Sequence, residues 1–203
     1  MAQPAERFVT GLVLAAGGSR RLGEPKQLLP YGSGTLLDHT LETARASGFD
    51  QLIVALGGSS AEVRRKIDLS GADVVENLEF GQGCSSSIAA GLRAIDPRSE
   101  LMVLMLGDQP GVTPAIVRAL IAGCDEGTVL AVCLYDDGRG HPLAFGRALF
   151  GALQELHGDK AVWKLMDRLA GQVVEVRVPG PIPPDVDTRE DYDAILGVAG
   201  TSA

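Results

Sequence analysis

Aromatic residues, cysteine and positive charge are all scarce in this 203-residue chain, and each shortage excludes something. Aromatics make up 4% of it, too few for the stacking platforms that grip single-stranded nucleic acid. Lys and Arg number 18 against 26 Asp and Glu, and the resulting formal charge of −8 repels polyanions. Any phosphate must therefore be bound by a local arrangement of donors. No apolar run reaches the ~18 residues of a membrane-spanning helix, and the polar start, Met1 to Arg7, has no signal-peptide hydrophobic region. The three cysteines, Cys84, Cys124 and Cys133, are scattered, odd in number and without metal-ligand spacing. That is the pattern of reduced thiols in a cytoplasmic protein and not of a zinc site. Neither nucleic acid nor a membrane is expected as a partner.

What is present reads as a single domain over 1–203, with its core at about 8–196 and a flexible tail at 197–203. The composition, 45% hydrophobic and 22% charged, is ordinary for a globular domain. Phe8 to Leu14 is a nearly continuous apolar run that stops at Ala15-Ala16-Gly17-Gly18, as a buried parallel strand does. Gln51–Leu56, Leu101–Leu106, Val129–Tyr135 and Val173–Val178 repeat the form, with a short extra strand at Asp73–Val75. Helical patterns lie between them. Leu36, Leu37, Thr40, Leu41 and Ala44 share one face before Gly48. Ser59 with Glu62 fits a capping box for a helix through Ile67, and Thr113-Pro114 opens a helix to about Ala122. Ser85–Ile95, Arg147–Leu156, Ala161–Leu169 and Thr188–Leu196 complete the set. The alternation predicts a three-layer α/β, Rossmann-like fold: a mostly parallel sheet with helices on both faces. Ligands of such sheets bind beyond the carboxyl ends of the strands, which selects the loop after Leu14 and the Gly107-Asp108 turn.

The loop after the first strand, Leu14-Ala-Ala-Gly-Gly-Ser-Arg-Arg-Leu-Gly-Glu-Pro-Lys26, is the most informative stretch. Gly17, Gly18 and Gly23 let the backbone turn tightly and present N–H groups to an anion. Arg21 and Lys26 add a fork and a point charge suited to triphosphate oxygens. The loop has neither the Walker A spacing nor the dinucleotide fingerprint. The segment closely resembles the signature Leu-Ala-Ala-Gly-x-Ser-x-Arg-x-Gly-x-x-Lys of the nucleotidyltransferases of molybdenum cofactor biosynthesis. Within that family Leu-Ala-Ala-Gly accompanies cytidylyltransferases and Leu-Ala-Gly-Gly guanylyltransferases, so Ala16 points to CTP over GTP. The resemblance implies a nucleotide-diphospho-sugar transferase-like fold and a nucleotide held by Leu14, Ala15, Ala16, Gly17, Gly18, Ser19 and Lys26. Arg21, Lys26 and Asp108 are its implied catalytic residues.

Asp108, in Gly107-Asp108-Gln109-Pro110, is either a turn-shaping residue or a magnesium ligand at a strand end. Asp185 and Asp187 could serve local turns before Thr188, which caps the last helix. The family's Gly-Asp-x-Pro and Asp-Ile-Asp-Thr-x-Glu-Asp-Tyr motifs imply that Asp108 and Asp187 bind Mg2+, with Mn2+ as the alternative; this chain has Val186 in place of Ile. The Gly81–Ser87 loop opens a helix, and its hydroxyls either cap that helix or meet a ligand. The resemblance assigns Gly83, Ser86 and Ser87 to the base and ribose. The Gly-His-Pro triplet at His141 resembles a family loop near the acceptor, and Gly158-Asp-Lys160-Ala departs from the family's Gly-Asp-x-Gly at Ala161. Arg139 and Lys160 either clamp an acceptor phosphate or are solvated. The implied reaction is CMP transfer from CTP to molybdopterin, with a recipient molybdoenzyme or its chaperone as a further partner. The alternatives are GTP with the same acceptor, CTP with a sugar or polyol phosphate, and a non-catalytic cofactor carrier.

Overall fold

In the computed structural model, which describes residues 7–19 and 21–199, the strands form where apolar runs meet glycine. In chain order the elements are β1 (Val9–Ala15), β2 (Pro30–Tyr31), β3 (Gly34–Thr35), α1 (Leu36–Arg45), β4 (Gln51–Leu56), α2 (Ser60–Lys66), β5 (Asp73–Glu76), α3 (Cys84–Leu92), β6 (Leu101–Leu106), α4 (Pro114–Ala122), β7 (Leu130–Tyr135), β8 (Gly138–Gly146), α5 (Phe150–Gln154), α6 (Ala161–Arg168), β9 (Val173–Arg177) and α7 (Arg189–Ala199). The main sheet runs β5-β4-β1-β6-β8-β7-β9, and β2-β3 is a separate small hairpin. All main-sheet pairings are parallel except those of β8, which is antiparallel to both neighbours. The expected mostly parallel sheet with helices on both faces is what forms.

Alternate residues of β1 feed opposite layers, which is why the strand reads as almost wholly apolar. Val9 and Val13 join Leu37 and Leu41 of α1 and Val117 and Leu120 of α4. Leu12 joins Ile88 of α3, Leu153 of α5 and Leu165 and Met166 of α6. On that second face α3 lies close, because Gly91 has no side chain where Leu12 stands; a Cβ there would come 2.5 Å from the Leu12 methyl. A third, smaller cluster of Leu29, Leu36, Val186, Tyr192 and Ile195 fixes α7 against the start of α1.

Two helix starts differ from expectation. Ser59 makes no side-chain cap for α2. The reciprocal box instead opens α1, where the Thr35 hydroxyl accepts from Asp38 N–H and the Asp38 carboxylate accepts from Thr35 N–H. Thr113 caps α4 as its sequence suggests. Thr188 and Asp191 cap α7 in the same reciprocal way. The helix α7 continues to Ala199, three residues into the segment expected to be a tail, while residues 200–203 lie outside the described residues.

The larger correction is β8: its start, expected as a loop, is a strand from Gly138. Asp136 and Asp137 form a tight connection, and Gly138 pairs back onto Tyr135. Pairing then jumps from Cys133↔Gly140 to Val132↔Leu143, so His141 and Pro142 bulge out of the ladder. Because β8 pairs antiparallel with β6, through Leu104↔Leu143, its beginning lies toward the edge where β6 ends. His141 therefore stands at the carboxyl edge of the sheet. There its ring packs edge-on to Trp163, with centroids 5.6 Å apart, and burial pushes its imidazole from the ordinary 6.5 down to about 4. An imidazole that stays neutral in the fold but takes a proton when unfolded lowers stability as pH falls from 6.5 to 4, and contributes no further change below that. We expect His141→Asn to flatten the stability profile in this window by on the order of 3 kcal/mol relative to wild type. Thermal unfolding of both proteins across that pH range checks it; parallel profiles would contradict a buried neutral imidazole.

Candidate functional site

The loop after β1 folds back on Ser19, the one described non-glycine residue with positive φ (48°). Its carbonyl accepts from the N–H groups of Leu22 and Gly23, and its hydroxyl accepts from Lys26 N–H at 2.9 Å. This fold-back returns Lys26 to the end of the strand it left. Gln27 then locks the loop from beneath: buried, it donates from Nε2 to the carbonyls of Ala15 (2.8 Å) and Gly17 (3.0 Å). Sequence reasoning passed over Gln27. Between Lys26 and the Leu28-Leu29 pair, a glutamine carries no local signal of burial.

Asp108 follows β6 and Gly107, whose N–H donates to the Leu14 carbonyl at 2.9 Å, so strand end and glycine-rich loop are joined. Asp187 arrives from the far end of the chain. Val186 is fully buried in the small cluster with Leu29, Leu36, Tyr192 and Ile195, and its N–H donates to the Asp108 carbonyl at 3.0 Å. The Tyr192 hydroxyl donates to Pro30 carbonyl at 2.6 Å, and Gln109 Nε2 donates to Pro183 carbonyl, tying both sides of this segment. The apolar residue between Asp185 and Asp187 is thus the anchor, and it turns both carboxylates toward the cleft.

Between Asp108 and Asp187 lies the Lys26 ammonium. It contacts Asp108 Oδ2 and, at 2.8 Å, Asp187 Oδ1. Arg21 closes the row, 2.7 Å from Asp187 Oδ2. The Lys26 and Asp108 side chains are 13% and 15% exposed, whereas Arg21 is 66% exposed. Burial pushes the Asp108 carboxyl up, against the pull of Lys26, and Asp185 adds a like charge. Burial would lower the Lys26 ammonium, but Asp108 and Asp187 hold it above its ordinary value. The hydrogen bond from Lys26 holds the Asp187 carboxyl below the usual range.

These residues line a cleft of about 560 Å³ with Leu14, Ala15, Ala16, Gly17, Gly18 and Ser19. Gly83 and Ser87 line it too, opposite the loop. Gly83 has φ 99°, and a Cβ there would come 2.7 Å from the Asp159 carboxylate. Ser86 is not among the lining residues: its hydroxyl accepts from Asn77 and bonds the carbonyls of Gly83 and Glu79, so it builds the loop. Cys84 is no nucleophile, since burial and then Asp159 push its thiol up, and it donates to Asp159 carbonyl. His141 lines the cleft, but Arg139 and Lys160 do not. Arg139 is held by Glu175 of β9, its Nε 2.7 Å from the carboxylate, and Lys160 is exposed where α6 begins. Asp159, within the Gly158-Asp-Lys160-Ala segment, lines the cleft as well, and so do Phe80, Val162 and Trp163, which no sequence motif marks.

Asp108 and Asp187 suit a hard divalent cation, because they already converge on one positive charge. No group of three His, Cys, Asp or Glu side chains is arranged for a metal among the described residues. An ion held by two carboxylates would complete its shell with water and phosphate oxygens, as magnesium does. Lys26→Met leaves the carboxylates without the ammonium between them. We expect Mn2+ binding without nucleotide to tighten on the order of tenfold to a hundredfold, since an unpaired buried charge costs several kcal/mol. Calorimetric titration checks this; equal affinities would mean that Lys26 and the ion do not compete.

The MobA-like NTP transferase domain matches residues 11–173. Two crystal structures resemble this fold over most of both chains. Rv0371c from Mycobacterium tuberculosis H37Rv is 49% identical with a TM-score of 0.88, covering 94% of this chain and 98% of that one. A manganese complex of Rv0371c, 47% identical, has a TM-score of 0.84 over the same shares. Among characterised relatives, nicotine blue oxidoreductase of Paenarthrobacter nicotinovorans is 32% identical over 70% of this chain and 72% of its own. The molybdenum cofactor cytidylyltransferase of Escherichia coli K12 is 26% identical over 89% and 92%. With its glycine-rich loop, its paired aspartates and the extent of this match, the chain belongs to the MobA-like NTP transferase domain family.

Proposed function

We propose that the protein transfers CMP from CTP to the terminal phosphate of molybdopterin and releases pyrophosphate. One observation carries the reading: Lys26 lies against Asp108 and Asp187 at the mouth of a glycine-rich loop, so cation and anion sites adjoin. In the reaction an acceptor phosphate oxygen forms a bond to the α-phosphorus while the bond from that phosphorus to the β-phosphate bridging oxygen breaks. The electron pair leaves with pyrophosphate. An acceptor phosphate is already ionised near neutrality, so no general base is needed, and the neutral His141 is not assigned one. The chain's own contribution is position and charge.

The loop amides of Gly17, Gly18 and Ser19 would receive phosphate oxygens, Lys26 would supply a fixed positive charge, and the mobile Arg21 would close over the departing pyrophosphate. Asp108 and Asp187 would hold a divalent ion, Mg2+ or Mn2+; the manganese complex of a 47% identical relative supports this choice. Such an ion, when bound, neutralises charge developing on the phosphates. Ala16, buried against Gly57 at the cleft wall, supports CTP over GTP by narrowing the base pocket. The E. coli relative that acts on molybdenum cofactor supports the acceptor.

Asp108→Ala should lower turnover a hundredfold or more while leaving the fold intact, as loss of a preorganised charge at the reacting phosphates does; circular dichroism and pyrophosphate release measure the two. Full activity would remove the metal assignment. Ala16→Gly should raise the preference for GTP relative to CTP by about tenfold, the worth of one methyl in a fitted pocket. A panel of four nucleotides with molybdopterin, ribitol 5-phosphate and a sugar 1-phosphate, read by product mass, separates the reading from its rivals. A protein that binds molybdopterin without releasing pyrophosphate would be a carrier.

A further inference from the structure

The helix α3 has no cap of its own. Its N-cap is Gly83, with φ 99° and no side chain to accept from the first-turn amides. The serines that follow are engaged elsewhere: Ser86 Oγ bonds the carbonyls of Gly83 and Glu79, and the Ser86 and Ser87 hydroxyls accept from Asn77 Nδ2 at 2.8 and 2.9 Å. The cap comes instead from 75 residues away, in the connection between α5 and α6. There Asp159 Oδ1 accepts from Cys84 N–H at 2.9 Å, and the Asp159 carbonyl accepts from the Cys84 thiol at 3.1 Å. Burial and then the Asp159 charge push that thiol up, so it keeps its proton as a donor. The fit is close on the glycine side too. A Cβ on Gly83 would meet Asp159 Oδ1 at 2.7 Å, Asp159 N at 2.8 Å and the Gly158 carbonyl carbon at 2.9 Å, so the two segments lie backbone to backbone.

We propose that Asp159 is a positioning residue for the nucleotide: by clasping Cys84 it fixes the loop at 81–87 in the shape that receives base and ribose. The Gly158-Asp-Lys160-Ala segment, expected from sequence to face the acceptor, thereby acts on the nucleotide half of the cleft. Gly83 and Ser87 of the clasped loop line that cleft, and Asn77 holds the loop from the β5 side. Without Asp159 the first amide of α3 would turn to water. The loop would then take its shape only as the nucleotide binds, and the cost of ordering it would weaken binding. The carboxylate also occupies the N–H end of the helix, a place that attracts phosphate, and so favours a triphosphate lying at Lys26 and Arg21. Lys26 itself is placed by Ser19, Asp108 and Asp187, so the phosphate half and the base half of the nucleotide are held by separate devices. The inference rests on the transfer reading above and adds a residue that sets nucleotide affinity without touching the phosphates.

The test is calorimetric titration of the full chain, in Mg2+, with a non-hydrolysable CTP analogue and separately with inorganic tripolyphosphate. We expect Asp159→Ala to weaken the CTP analogue about fivefold, the scale of one lost helix cap. Tripolyphosphate affinity should stay unchanged in that variant, which a general loosening of the fold would not allow. Asp159→Asn, which keeps an oxygen for the Cys84 N–H, should retain most of the CTP affinity. In turnover with molybdopterin, Asp159→Ala should raise the CTP KM and leave the acceptor KM as it is. Equal CTP affinity in wild type and Asp159→Ala, equal losses in the Ala and Asn variants, or a parallel loss of tripolyphosphate each overturns the proposal. So does a raised acceptor KM beside an unchanged CTP KM, which would return the segment to the acceptor side. A wild type that binds the CTP analogue but forms no product with molybdopterin sinks the transfer reading, while the calorimetry still decides the clasp.

Discussion

The ammonium of Lys26 lies against two carboxylates supplied from distant parts of the chain, Asp108 at the end of β6 and Asp187 just before α7. Two acidic groups this close in a mostly buried site repel each other, and a cation between them makes the arrangement tolerable. The surrounding structure keeps that contact available. Ser19 and Gln27 bend the glycine-rich loop so that Lys26 returns to the strand end. Val186, inserted among Leu29, Leu36, Tyr192 and Ile195, carries Asp187 to the same place.

The sheet explains why groups from distant parts of the chain line one cleft. Parallel strands β1 and β6 deliver their carboxyl ends to the site, as open α/β sheets do. The antiparallel β8 delivers its beginning to that edge, and its two-residue bulge sets His141 against Trp163. The donors and carboxylates thus come from strand ends on one side, and the aromatic wall comes from β8 and α6 on the other.

Much of the fold was legible because parallel strands covered on both faces are apolar at nearly every position, and the glycines and capping hydroxyls between them mark where each ends. Thr113 and Thr188 were read correctly as caps. Ser59, with an equally good pattern, caps nothing, because cap geometry depends on the backbone approaching the helix as much as on the hydroxyl. The start of β8, at Gly138 to Pro142, resisted for a physical reason: Gly, Arg, Gly, His and Pro include poor strand formers and a residue with no N–H, and only pairing with β7, through Gly138, Arg139 and Gly140, makes the segment a strand. Ser86 and Arg139 look like ligand-binding residues in sequence, yet both are taken by protein partners, Asn77 and Glu175.

By itself the sequence determined the α/β alternation, the glycine-rich loop and the residue types of the charged row, since these depend on local periodicity, backbone freedom and side-chain chemistry. Only the tertiary structure decided which charges meet. Asp187 joins Asp108 because a buried valine beside it has one apolar niche to fill, and Gln27 counts because its amide spans two loop carbonyls. Trp163 and Asp159 reach the cleft through the packing of α6 and the loop before it against α3 and β8, contacts between residues remote in sequence that no local pattern encodes.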